Sequence, residues 1–428
     1  MRKRLCEMRK FLMNVRSVLF MVMSLLMLTI GIAIHAQANS DLLAYVNSSQ
    51  QLVVVSGDGG FRWIVTNPGE FLADPVGYTW SPDGDRIFFA VQQGGSVSLR
   101  VGDVNTQSWN EIANVPAGIV GGEWSADGRG VLIGSGGTIR LYDADNGDVL
   151  REISGLEPPV VLVSPFSEAP NFLPYGRSLS PDGESIIFQA GLNGRYFVGR
   201  FDGSVPTLAA PLNNDPAPRY SALWSDDGSA VAYWGYDSDG TSVIAVTDVD
   251  SQTTVTLDSG RAIPVTLLGW SGDVLVYRDS ANRVLAARAP DQPLESGVQL
   301  LPPDALDIMV VNGGALFRTD SAIQSVGASC VDTGDCLDRL NVLVNDAAAM
   351  PFEVRFGTIV YTAQNGAVVT SDGLNVFAFA GASAGVLSPG GAYVALDLNG
   401  GLSIANTLDG SVTEIAPAPI ILDGVRWN

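Results

Sequence analysis

The chain has 428 residues, with 24 Lys+Arg against 45 Asp+Glu and a formal net charge of −21. That balance excludes a nucleic-acid partner, because neutralising phosphates needs a basic footprint. With 46% apolar residues, 48 Gly and 23 Pro, there is ample material for a core and too many turn formers for a helical one.

Residues 1–16 carry Arg2, Lys3, Arg4, Arg9, Lys10 and Arg16 against Glu7. An uncharged apolar run follows from Val18 to Ile34, then His35-Ala-Gln-Ala38. Basic region, apolar run and Ala-x-Ala site predict a secretory signal cleaved after Ala38. The alternative is an uncleaved anchor, since the run approaches bilayer-spanning length. The expected organisation is a signal over 1–38 and a single domain over 39–428, in a secreted or periplasmic protein. Cleavage takes away six basic residues and one acid, leaving 18 Arg, no Lys and 44 acids, a net of −26. His35, the single His, leaves as well. A mature chain without His or Lys has no Ser-His-Asp machinery, no His-bound zinc and no Schiff-base lysine. No catalytic residue, metal ligand or cofactor is therefore predicted.

Three segments that match strands of a repeat open the mature chain: Leu42–Val46, Leu52–Gly60 and Arg62–Val65. A block then recurs as Trp80-Ser-Pro-Asp-Gly84, Trp124-Ser-Ala-Asp-Gly128, Leu179-Ser-Pro-Asp-Gly183 and Trp224-Ser-Asp-Asp-Gly228. Weaker copies are Trp270-Ser-Gly-Asp273 and Leu387-Ser-Pro-Gly-Gly391. Each strong copy is followed by an apolar strand, such as Ile87-Phe-Phe-Ala90 or Ile186-Ile-Phe188, and by further strands ending in Asp/Gly turns. Ser-x-Asp-Gly reads as a hairpin loop, with side-chain oxygens capping the turn and Gly taking positive φ. Short alternating strands between such turns predict an antiparallel meander. Its units cannot bury both faces alone and must stack.

The copies are spaced by 44, 55, 45 and 46 residues, the period of a propeller blade. Trp80, Trp124, Trp224, Trp270 and Trp427 hold the slot before the turn, where a large ring fills space between sheets. The start lacks a first strand, and the end, Ile420–Asn428, supplies one that stops at the Trp slot. A ring closed by the C-terminal strand explains both and removes open sheet edges. The 117 residues between Trp270 and Leu387 lack the motif but hold strand candidates such as Ile308–Val311, Ala315–Phe317, Ile359–Tyr361 and Val376–Phe379. They accommodate two or three blades, so the fold expected is an all-β propeller of eight or nine four-stranded blades.

The longest spacing contains residues 155–177, with Phe166, Phe172, Tyr175 and Arg177; residues 213–220, with Arg219 and Tyr220, form a shorter analogue in the next repeat. Connections between blades line a rim of the channel, and aromatic and Arg side chains there are typical anchors. Phe172, Tyr175, Arg177, Arg219 and Tyr220 are the candidate binding residues. Acidic turns such as Asp143–Asp148 and Asp237–Gly240 lack EF-hand spacing and read as solvated hairpins. Gly381-Ala-Ser383-Ala-Gly385 matches a nucleophile elbow but has no His to activate it. Cys330 and Cys336 are expected to form a disulfide that ties down one surface loop.

The Trp-Ser-Pro-Asp-Gly block, its apolar strand and the strand ending in Asp-x-x-x-Gly resemble the WD40-like (PD40) repeats of TolB-type propellers. The resemblance runs over 41–290 and again over 381–428. It implies a propeller and leaves the activity open. The leading functional expectation is an exported binding scaffold without catalysis. It would be a monomeric ring whose partner is a protein, peptide or envelope component, touching a membrane only through an uncleaved N-terminal segment. The alternative is a carboxylate-based, glycosidase-like hydrolase using Asp/Glu around the channel. N-terminal sequencing of the exported protein is expected to start at Asn39; a start at Met1 would assign the anchored form.

Overall fold

The computed structural model describes residues 41–428 except 74–76, 118–121, 163–177, 192–194, 203–206, 209–221, 237–240, 252, 261–265, 272–273, 282, 289–297, 303, 312–313, 328–329, 331–335, 349–351, 356 and 418–424. The described strands form nine four-stranded antiparallel sheets. Of the two expected counts, the sheets match the larger. Sheet 1 joins Leu42–Val46, Leu52–Ser56 and Arg62–Ile64 to the C-terminal strand Arg426–Trp427. Sheets 2 to 9 follow in chain order, and their first strands begin at Tyr78, Gly122, Val160, Ala222, Thr266, Leu306, Glu353 and Ala382.

Side chains alternate across each strand, and both faces are buried. Leu42, Ala44, Leu52 and Val54 pack against Trp80, Ile87 and Phe89 of sheet 2. Leu43, Tyr45, Val53 and Val55 pack the other way, against Ala395, Leu402 and Ile404 of sheet 9. The core is thus divided among nine clusters, each lying between two consecutive sheets, with the last between sheets 9 and 1. This closed set of interfaces makes the molecule a β-propeller. Side chains such as Phe89, Phe188 and Phe317, all fully buried, each contribute about 1.5–3 kcal/mol by burial.

The recurrent turn has one geometry. Ser81 Oγ bonds the Asp83 carboxylate and accepts from Arg86 N at 2.9 Å, while Gly84 N donates to Ser81 O. Gly84 sits at φ +73°, which only Gly adopts without cost. Ser125, Ser180 and Ser225 repeat the pattern. In sheets 6 to 8 the corresponding pairs Ser271↔Val274, Val311↔Gly314 and Arg355↔Thr358 close over two residues. A two-residue hairpin has no room for Ser-x-Asp-Gly, so the motif is absent there while the sheets persist.

Sheet 4 departs from expectation. Val160–Leu162 pairs with Phe188–Ala190 of its second strand, and Leu179 bridges Ile186 of that same strand. Val160–Leu162, expected as part of a connection, thus belongs to sheet 4.

Closure is made by the last three residues. Arg426 and Trp427 pair with Ala44 and Leu43. Asn428 N donates to Leu42 O at 2.9 Å, its Oδ1 accepts from Leu42 N at 2.9 Å, and its Nδ2 reaches Gly84 O in sheet 2. Trp427→Ala should lower stability by about 3–5 kcal/mol, and Asn428→Ala by about 1–2 kcal/mol. Denaturant unfolding checks both; a Trp427→Ala change within error of wild type would disprove closure by this strand.

Candidate functional site

The first strands meet around the ring at one recurring point. Trp124 Nε1 donates to Thr79 O at 3.1 Å, Trp270 Nε1 to Leu223 O at 3.1 Å, and Trp80 Nε1 to Arg426 O at 3.0 Å. Trp224 Nε1 reaches Ser178 O at 3.1 Å, and Trp427 Nε1 reaches Val386 O at 2.9 Å. In every case the acceptor is the residue just before the Trp slot of the preceding sheet. The Trp rings are therefore latches as well as core filler. Their sequence position gave the packing role but not the hydrogen bond, because the acceptor lies about one repeat away.

Where the slot holds Leu, the preceding sheet supplies Glu. Glu123 Oε1 accepts from Leu179 N at 2.8 Å and its Oε2 from Ser178 N at 3.3 Å. Glu353 Oε2 accepts from Leu387 N at 2.8 Å. Leu has no donor to offer a carbonyl, so the carboxylate reaches across to the backbone N–H groups instead. Burial pushes the Glu123 carboxyl up to about 7 against the opposing pull of its two N–H donors and of the nearby Ser178 hydroxyl. Burial also raises Glu353, opposed by Leu387 N–H and by Arg355, whose Nε lies 3.2 Å away. Sequence reasoning missed both residues. The visible signal was Glu just before the Trp slot of the repeat that precedes a Leu slot. They stand in sheets 3 and 8, so they are not neighbours in the ring. Each is engaged by backbone, an arrangement unlike the facing carboxyls of a glycosidase.

The sequence-predicted anchors Phe172, Tyr175, Arg177, Arg219 and Tyr220 lie outside the described residues, as does Phe166. Their flanks are described. Residue 177 precedes Ser178, and residue 220 lies two before Ala222. Ser178 and Trp224 belong to adjacent first strands and are joined by the Trp224 bond. The described residues that follow the two segments, Ser178 and Ala222, therefore stand at one joint.

In a four-stranded meander, this end of each sheet also bears the turn between second and third strands; the Ser-x-Asp-Gly turns lie at the other end. Phe71, 58% exposed, belongs to the connection end, where Gln92 N donates to its carbonyl. Its loop is held by Glu70, which pairs with buried Arg100 at 2.9 Å and accepts from Asn67 N at 2.8 Å. Trp109 stacks on the Arg100 guanidinium at 3.9 Å. The opposite end carries the exposed acids Asp83, Asp127, Asp145, Asp182 and Asp250.

Other sequence candidates resolve into structural roles. Asp143 Oδ1 accepts from Asp145 N and Asn146 N, capping its own hairpin, and Asp145 pairs with Arg86. Asp237–Gly240 lies outside the described residues. Ser383 Oγ donates to Asp397 across the sheet at 2.6 Å. Among the described residues, no group of three or more metal-ligating side chains converges. Cys330 and Cys336 are bonded, with Cα atoms 4.7 Å apart. Both are buried in the cluster between sheets 6 and 7, with Phe317 and Leu300. The bridge is thus part of the core, which corrects the expectation of a tie on the surface alone.

No family model matches the chain, and no curated protein matches it. Solved structures do. A structure described as the eukaryotic initiation factor aligns with TM-score 0.58 at 10% identity, over 91% of this chain and 98% of that one. TolB from Acinetobacter baumannii aligns with TM-score 0.34 at 13% identity, over 71% of this chain and 64% of its own. The Myceliophteria thermophila Cps50 (Swd1) β-propeller domain aligns with TM-score 0.34 at 14% identity, over 69% and 94%. At these identities the likeness is one of fold, a β-propeller.

Trp224→Phe keeps the ring and removes the donor to Ser178 O. Its expected cost is about 1–2 kcal/mol, whereas Trp224→Ala should cost about 3–5 kcal/mol. Equal losses in chemical denaturation would show that packing alone matters at this joint.

Proposed function

We propose that this protein acts outside the cytoplasm as a non-catalytic scaffold, gripping a protein, peptide or envelope component at the connection end of the ring near sheets 4 and 5. The observation that carries this reading is the Trp224–Ser178 bond, which joins the described residues that follow the two long segments in sequence. Phe71 adds an exposed aromatic on a braced loop at the same end, the kind of rigid side chain that anchors interfaces. Charge supports the same end. The Ser-x-Asp-Gly turns concentrate acids at the other, where an anionic partner is repelled. Export rests on the basic and apolar N-terminal segment, with the ring working as a monomer after cleavage. Absence of His and Lys from the mature chain, and engagement of both buried Glu carboxyls by backbone, support binding over hydrolysis.

Affinity capture from envelope extract, read by mass spectrometry, tests the reading with wild type, Phe71→Ala and Tyr175→Ala/Arg177→Ala. A reproducible partner should be enriched by wild type and reduced at least tenfold by the double variant. Phe71→Ala should weaken capture while changing stability by less than about 0.5 kcal/mol, as expected of an exposed site. Capture unaffected by any of these changes, or glycan hydrolysis by the purified protein, would overturn the proposal.

A further inference from the structure

The joint between sheets 3 and 4 differs chemically from the Trp joints around it. The Glu123 side chain crosses from one first strand to the next and is nearly fully buried, at 3% exposure. The surrounding strands Gly130–Ser135, Val160–Leu162, Ser178–Ser180 and Ser185–Ala190 carry no charged or titratable side chain. On the far side, the first strand of sheet 2 contributes Tyr78, whose hydroxyl donates to Ala44 O. Among the described residues no cation is paired with Glu123, unlike Glu353 with Arg355.

A second observation is independent of the first. Ser178 is completely buried, and its Oγ makes no hydrogen bond of normal geometry among the described residues. Buried hydroxyls are rarely left so. This hydroxyl belongs to the residue whose N–H already meets Glu123 Oε2.

We propose that the Glu123 carboxyl and the Ser178 hydroxyl form a proton-operated latch between sheets 3 and 4 that tightens when Glu123 takes up a proton. In the neutral form Oε1 keeps the Leu179 N–H bond, while the Oε2 proton is donated to Ser178 Oγ. Every polar atom of the pair is then satisfied. Loss of the proton to solvent removes that O–H···O bond and leaves a buried charge that faces two N–H groups and the Ser178 hydroxyl.

The sign follows from linkage. Burial raises the folded carboxyl from 4.5 to about 7. The latch therefore contributes its full stability below the unfolded value, and that contribution is lost as pH rises through the folded one. The same residue, Ser178, gives its carbonyl to Trp224, so the state of Glu123 is passed to sheet 5. This latch does not depend on the binding reading; a ring that captures no partner still shows it.

Hydrogen exchange of the 178–190 segment, expressed as protection factors from pH 4.5 to 9, provides the test on full-length mature protein. Wild-type protection of the Leu179 amide should fall about tenfold to a hundredfold between pH 5 and pH 8, because the closed joint holds a proton that the opened one releases. Glu123→Gln should flatten that dependence. Ser178→Ala removes the acceptor of the neutral form and should move the midpoint down by about one pH unit. A wild-type profile retained in Glu123→Gln would overturn the latch. A midpoint that rises in Ser178→Ala would also overturn it, by showing that the hydroxyl serves the carboxylate. If Glu123→Gln does not fold, the Ser178→Ala midpoint decides alone.

Discussion

The contact between consecutive first strands is the constraint on which the molecule depends. Each sheet buries both faces, so each face needs a neighbour, and a ring of such sheets holds only if every joint holds. Burial is non-directional and cannot by itself fix the offset of one sheet on the next. The Trp Nε1–H bond to the carbonyl before the preceding slot is directional and fixes it. Because the bond is made to backbone, the acceptor residue is free to vary, and Thr79, Arg426, Leu223, Ser178 and Val386 all serve.

The remaining joints solve the same problem by other means. Glu123 and Glu353 invert the donor and acceptor, drawing on backbone N–H groups where Leu has replaced Trp. Between sheets 6 and 7, Gly269 admits Val310 so closely that a Cβ there would lie 2.8 Å from the Val310 Cβ. Between sheets 7 and 8, Met309 packs with Val354 in an apolar contact. A bonded Trp, a bonded carboxyl and plain apolar contact differ in their response to pH and temperature. The ring is therefore uniform in shape and uneven in chemistry.

Much of this was legible in one sequence. Spacing of the Trp/Leu-Ser-x-Asp-Gly blocks located sheets 2 to 5 and 9, since a five-residue turn needs Ser, Asp and Gly at fixed places. A missing first strand at the start and a spare one at the end pointed to closure, and Leu43↔Trp427 carries it. Sheets 7 and 8 were legible only as strand candidates, because their two-residue hairpins drop the motif. Val160–Leu162 was read as part of a connection and belongs to sheet 4, because it is short and separated from Leu179 by a long polar and aromatic stretch. The cystine was placed on the surface because its local sequence is polar; its burial comes from packing between sheets 6 and 7, which no local pattern encodes.

The sequence by itself determined the class of fold, its period, the closing strand and the absence of His and Lys after His35. These follow from local turn chemistry, alternation and counting. Only the tertiary structure decided what joins one sheet to the next: which carbonyl each Trp meets, why Glu123 and Glu353 precede Leu slots, and which ends of the sheets share a face. Those contacts link residues about one repeat apart, or, for Trp80 and Arg426, 346 positions apart. Their partners are backbone atoms, which every residue carries alike, so no side-chain pattern announces them.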